Sequence, residues 1–174
     1  LKKKKIMKVE NTNLEGVLII DPPTNFQDFR GSYVETYNER LYKENGITQN
    51  FIQDDISTSK FNVLRGIHGD ASTTKLVSCT YGKFFLVVVN NNPVSSQYKQ
   101  WQSFYLSDLN RKQVLIPPMY GNGHLVLSEF AIFHYKQTTE YNRDGQFTII
   151  WNDPKYNIKW PVKNPILSKR DSGK

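Results

Sequence analysis

The chain has 174 residues, 38% of them apolar, which suffices for one compact core and corresponds to about one domain. Its ten glycines, eight prolines and single cysteine, Cys79, together with the lack of any apolar run near the roughly 18 residues of a membrane-spanning helix, exclude collagen-like, disordered, helical-membrane and disulfide-framework classes. The net charge of +7 is no nucleic-acid signature, because residues 1–10 hold five lysines against one glutamate and so account for more than half of the excess.

Residues 1–13, with the run Lys2 to Lys5 and polar Asn11, Thr12 and Asn13, read as a basic flexible tail. Ile6 and Met7 are followed at once by Lys8, so no apolar stretch of secretory type follows the basic start, and a cytoplasmic protein is expected. From Leu14 onward, short apolar or aromatic runs alternate with Gly, Pro, Asn or Ser-Asp punctuation. Strands are predicted at 17–21, 32–35, 50–53, 62–68, 76–80, 84–90, 102–106, 114–116, 125–127, 131–136 and 147–151. One short helix is predicted over 36–43, before Gly46. Tyr81-Gly82-Lys83 joins two apolar runs tightly enough for a hairpin. Many short strands without βαβ alternation, repeat or linker make residues 14–174 a single all-β domain, a jelly roll or related double-sheet barrel.

Acid–base or metal chemistry would have to use His68, His124 and His134, the only three histidines. No His-x-His pair is present, and no metal site is expected. His68 ends a strand between Gly66 and Gly69, glycines that permit close approach of another molecule. Composition alone leaves it a hydrogen-bonded strand-end histidine. Tyr135 alternates with Phe133 and Ala131 on one face, where spacing alone makes it core, and Arg65 and Lys75 are by default solvated charges.

The joint pattern changes these readings. In order, the chain carries Asp28-Phe29-Arg30-Gly31 with Glu35, then Phe51-Ile52-Gln53-Asp54, Val63-Leu64-Arg65-Gly66-Ile67-His68 and Lys75-Leu76-Val77. It continues with Ile116-Pro117-Pro118, Leu125-Val126-Leu127-Ser128-Glu129, Tyr135-Lys136, Trp151-Asn152-Asp153, Trp160-Pro161 and Leu167-Ser168-Lys169-Arg170-Asp171. This colinear set resembles the nucleotide-sugar 3,5-epimerase family typified by dTDP-4-dehydrorhamnose 3,5-epimerase. The resemblance implies a cupin-type jelly roll with one or two short helices, working as a homodimer without metal or cofactor on a nucleoside-diphosphate 4-keto sugar. It also implies His68 as base, Tyr135 as acid, Asp171 as the carboxylate paired with the histidine and Lys75 beside the developing enolate oxygen. Substrate contacts carried over from it are Arg30, Glu35, Gln53, Asp54, Arg65, Tyr141 and Arg170, with residues near Arg30 and Glu35 supplied by a partner subunit.

Three positions depart from the family pattern. Asp55 stands where an amide is usual, Asn122 where a substrate-contacting histidine is usual, with Gly121-Asn122-Gly123-His124 replacing Ala-His-Gly-Phe, and Gln146 where the rhamnose-pathway enzymes have glutamate. The acid–base set is intact while the binding set has drifted. The Arg-Gly-Ile-His-Gly-Asp stretch resembles the capsule and heptose-modifying branch, so a GDP-linked 4-keto heptose or related deoxysugar is the first expectation. The rhamnose precursor on dTDP, or a non-catalytic sugar-nucleotide-binding barrel, is the alternative.

Overall fold

The computed structural model describes residues 6–174. Thirteen strands and one helix follow in chain order: β1 (Lys8–Asn11), β2 (Leu18–Asp21), β3 (Thr24–Asp28), β4 (Gly31–Val34), α1 (Glu39–Glu44), β5 (Gln53–Lys60), β6 (Leu64–Gly69), β7 (Lys75–Tyr81), β8 (Lys83–Asn90), β9 (Trp101–Ser107), β10 (Gln113–Ile116), β11 (Tyr120–Val126), β12 (Phe130–Gln137) and β13 (Phe147–Thr148). A six-stranded sheet, β1-β2-β10-β7-β12-β5, packs on a five-stranded one, β13-β6-β11-β8-β9, and β3 and β4 form a separate hairpin. All strand pairs within the sheets are antiparallel, as expected of a jelly roll. No helix of the described residues is long and apolar enough to cross a membrane.

Alternation along β8 explains how the layers stack. Phe84, Leu86 and Val88 turn toward the six-stranded sheet and meet Val77, Val114, Ile116 and Phe133 in the central core. Phe85, Val87 and Val89 turn the other way, where the irregular C-terminal segment covers them with Ile149, Trp151, Trp160 and Leu167. A strand buried on both faces reads as a continuous apolar run, which is what residues 84–89 are. On the outside of the six-stranded sheet, Ile20, Leu76 and Leu115 are covered by Tyr42 of α1 and by Ile47.

Several expectations are corrected. The stretch expected as tail contains β1, which pairs with β2 from Lys8↔Asp21 to Asn11↔Leu18, and Met7 is buried beside it. Lys2 to Lys5 lie outside the described residues. The helix begins at Glu39, three residues later than predicted, because Asn38 caps it by accepting a hydrogen bond from the Leu41 amide at 3.1 Å. The strand predicted at 50–53 starts only at Gln53 and runs to Lys60, and β3, unpredicted, pairs with β4 as a hairpin. The glycines around His68 make room for the chain's own backbone. A Cβ on Gly66 would sit 2.6 Å from the Asn122 carbonyl oxygen, and one on Gly69 would sit 2.2 Å from that of Tyr120.

Candidate active site

A cavity of about 410 Å³ opens between the two sheets at one end of the barrel. Its walls are polar because inward-facing positions that are Val, Leu or Phe in the central core become Lys75 on β7, Asn122 and His124 on β11, and Tyr135 on β12. His68 and Tyr135 therefore stand on opposite sheets, facing one space.

His68 is held at both ring nitrogens. Nε2 lies 2.7 Å from Asp171 Oδ1, at ion-pair distance, and Nδ1 lies 3.1 Å from the Thr148 hydroxyl. Asp171 is 4% exposed, so the C-terminal segment is packed here, as its expected role requires. Its backbone amide donates to Ser168 Oγ at 3.1 Å, and the Ser168 hydroxyl donates to Asp171 Oδ2 at 2.8 Å, pinning the carboxylate from two directions. Burial alone would raise the Asp171 pKa, but the contacts with His68 and Ser168 outweigh it and hold the carboxyl below its ordinary value. A carboxylate kept ionised against an imidazole orients the ring and favours its protonated form.

Tyr135 packs against Phe133, with ring centroids 5.5 Å apart, as the alternation of β12 requires. Burial, and then the charge of Asp55 on the neighbouring strand, pushes its phenol up to about 12, so it stays protonated across the physiological range. Lys75 is 8% exposed and donates to Asn122 Oδ1 at 3.4 Å. Burial pulls its pKa below the ordinary lysine value, partly opposed by Asp70. A cation in so dry a place acts strongly on any negative charge that develops beside it.

Arg65, Tyr141, Gln146 and Arg170, expected as substrate contacts, line the same cavity. Arg65 is steadied by donating from Nε to Ser59 Oγ at 2.8 Å, and Arg170 by donating from Nε to Thr148 Oγ1 at 3.0 Å. Other expected contacts lie elsewhere. Gln53 and Asp55 share the inward side of β5 without lining the cavity. Gln53 donates to Asp55 at 2.7 Å and accepts from the Tyr141 amide at 2.8 Å, so this pair holds the Tyr141 loop and acts on Tyr135. Asp54, one residue out of phase, points to the outer face, where it pairs with Lys136 and with His134 at 2.5 Å. Arg30 is exposed at the tip of the β3–β4 hairpin, paired with Asp28 at 2.6 Å, and neither it nor Glu35 lines the cavity of its own chain.

The site also depends on residues that the sequence reading did not assign. Ser168 and Thr148, which hold Asp171 and His68, announce themselves only through the fold, although Ser168 lies three residues before Asp171. Arg143, Ser57 and His124 line the cavity from a loop, from β5 and from β11. Among the described residues no group of three His, Cys, Asp or Glu side chains is placed to hold a metal ion.

The chain matches the dTDP-4-dehydrorhamnose 3,5-epimerase family model over residues 11–174. The dTDP-4-dehydrorhamnose 3,5-epimerase of Salmonella typhimurium is 39% identical over 172 residues, covering 96% of this chain and 93% of that protein. The crystal structure of the Legionella pneumophila dTDP-6-deoxy-D-glucose-3,5-epimerase, in complex with dTDP-4-keto-L-rhamnose, superimposes with a TM-score of 0.90 at 36% identity, covering 96% of this chain and 90% of that one. The Bacillus anthracis dTDP-4-dehydrorhamnose 3,5-epimerase, with TDP and PPi bound, gives 0.91 at 34% identity, covering 95% and 97%.

Proposed function

The chain belongs to the dTDP-4-dehydrorhamnose 3,5-epimerase family, a family of isomerases, and on that premise we propose that it epimerises a dTDP-linked 4-keto-6-deoxy hexose at carbon 3, carbon 5 or both, with His68 as base and Tyr135 as acid. The observation that carries this reading is the pair of proton-transfer groups on opposite walls of one cavity, His68 backed by Asp171 and Tyr135 held protonated, with buried Lys75 beside them.

The ketone acidifies the C–H bonds on both flanking carbons, because the electron pair left behind delocalises onto its oxygen. His68 Nδ1, the nitrogen not paired with Asp171, takes the proton as the Thr148 hydroxyl turns its hydrogen away from it, and the resulting imidazolium is stabilised by the carboxylate. The Lys75 ammonium faces the enolate oxygen, where its field acts more on the charged intermediate than on the ketone. The Tyr135 hydroxyl then returns a proton to carbon from the opposite face, inverting the centre, and exchange with solvent resets phenolate and imidazolium. Arg65 and Arg170, with Arg143, suit the diphosphate, whose paired oxygens match guanidinium forks.

A second substrate, a GDP-linked 4-keto heptose or related capsule sugar, is favoured by the changed contacts Asn122, His124 and Gln146. The names of the relatives favour dTDP. The active unit in this reading is a homodimer. The β3–β4 hairpin exposes Phe26, Phe29 and Tyr33 and carries Arg30 away from its own cavity, which fits delivery of Arg30 and Glu35 to a partner's site.

The assignment is tested by following dTDP-4-keto-6-deoxyglucose by proton NMR with the parent protein and with His68→Asn. The parent is expected to change the ring coupling pattern, and His68→Asn to lose at least about 10²-fold in rate, the scale of a positioned base. Turnover by His68→Asn at the parent rate overturns the base assignment.

A further inference from the structure

His124 is a buried ionisable side chain to which the mechanism above gives no task. It is 4% exposed and lines the cavity two residues along β11 from Asn122, on the same face of the strand. Its ring stacks on Phe133 with centroids 4.2 Å apart and planes 9° from parallel, and lies 5.2 Å from the ring of Phe84. His68 and His134 are each held at both ring nitrogens, by Asp171 and Thr148 and by Asp54 and Ser78 respectively. Among the described residues no group hydrogen-bonds the ring of His124.

No ring nitrogen of His124 is both sealed from solvent and unpartnered, so its polar edge opens onto the cavity, and phenylalanine would keep the stack without that edge. Burial, with Arg65 reinforcing it, pushes the His124 pKa down to about 3, so the ring is neutral and offers one N–H donor and one acceptor. A neutral imidazole is a poor partner for a diphosphate, for which the cavity already holds Arg65, Arg143 and Arg170. It is a good partner for a hydroxyl, which donates and accepts in turn. Asn122 on the same strand face is bonded to Lys75, so the group within reach of His124 is the part of the ligand held among the proton-transfer residues.

We propose that His124 is a specificity-determining residue whose ring hydrogen-bonds a hydroxyl of the bound sugar in the cavity. The proposal rests on the epimerase reading above and adds to it a preference for sugars that carry that hydroxyl over analogues that lack it.

The test joins kinetics, stability and NMR. His124→Phe, which preserves the aromatic stack, is expected to keep or raise the thermal midpoint while kcat/KM on the 4-keto sugar falls about tenfold or more, and His124→Gln, which restores a donor, is expected to recover part of the loss. In protein labelled with ¹⁵N at histidine, the His124 ring signals are expected to move with a sugar nucleotide, dTDP-glucose or GDP-mannose, and not with bare dTDP or GDP. Full kcat/KM in His124→Phe, or unmoved His124 signals when a sugar nucleotide is bound, overturns the proposal. Neither sugar nucleotide carries a ketone, so the titration reads His124 independently of turnover. Failure of the parent protein to epimerise any 4-keto sugar is a separate result, bearing on the enzymatic reading.

Discussion

At the residue scale the site is governed by burial and by hydrogen bonding, which act on three ionisable groups in different directions. Lys75 is pulled below its ordinary pKa and Tyr135 is pushed up to about 12, so on the alkaline side Lys75 loses its proton first. The high-pH limb of kcat is therefore expected to report Lys75 and to lie below the ordinary lysine value, and Lys75→Arg, charged at all working pH, should move it upward. A limb unchanged in Lys75→Arg would contradict this. Lys75→Met removes a buried cation and is expected to cost about 10²- to 10³-fold in kcat with no loss of thermal stability. Asp171 has the opposite sign to a raised group. Its carboxyl is held low, so its contribution to stability is present above the ordinary aspartate pKa and is lost as pH falls through the folded value. Asp171→Asn should flatten the acid side of a stability–pH curve and lower kcat about 10²- to 10⁴-fold, because the amide does not favour the imidazolium. These residues were nameable from sequence through resemblance alone, since alternation by itself makes Tyr135 core, and it does pack on the core. Asp54 shows where such a transfer goes astray. One residue out of phase with Gln53 and Asp55, it belongs to the outer face.

At the element scale, sequence patterning located strands of the apolar core such as β8 and β12 well, and two of those it misplaced, β5 and β11, border the cavity. Residues 54–60 of β5 place Asp55, Ser57 and Ser59 on the inward side, so no hydrophobic period marks the strand. β11 was expected only at 125–127, because Gly121-Asn122-Gly123 looks like a turn. Its glycines are there because Ile67 of β6 packs directly against them, 2.8 Å from a Cβ at Gly121 and 2.9 Å from one at Gly123. The β6–β11 contact is therefore the expected weak point of the scaffold. Gly69→Ala, whose methyl would meet the Tyr120 carbonyl oxygen, should destabilise the fold by about 1–3 kcal/mol, read from the urea midpoint. An unchanged midpoint would mean that β11 can yield without cost. Patterning placed His68 at the end of a strand and resemblance gave it a role, but the reason for its glycine neighbours lay in the tertiary contact and could not be read locally.

At the scale of the whole molecule, the all-β class and the two-sheet core were legible from strand spacing, whereas the hairpin β3–β4 was only half seen. Its exposed Phe26, Phe29 and Tyr33 make an apolar projection that belongs to none of the three apolar clusters of the described residues. If a second copy receives it, sedimentation at micromolar concentration should give a species of about twice 20.3 kDa, and a Phe26→Ser, Phe29→Ser, Tyr33→Ser variant should run as a monomer with reduced activity. A parent protein that sediments only as a monomer would leave Arg30 and Glu35 without a role in the site. The central claim, that proton removal and return occur from opposite walls of one cavity, is tested most directly by proton NMR in deuterated water with dTDP-4-keto-6-deoxyglucose and its GDP counterpart, comparing the parent protein with Tyr135→Phe. The account expects the parent to place deuterium at carbon 3, carbon 5 or both with inversion, and Tyr135→Phe to exchange the same positions while retaining configuration. Inversion by Tyr135→Phe at the parent rate, or binding by the parent without any exchange, would contradict it.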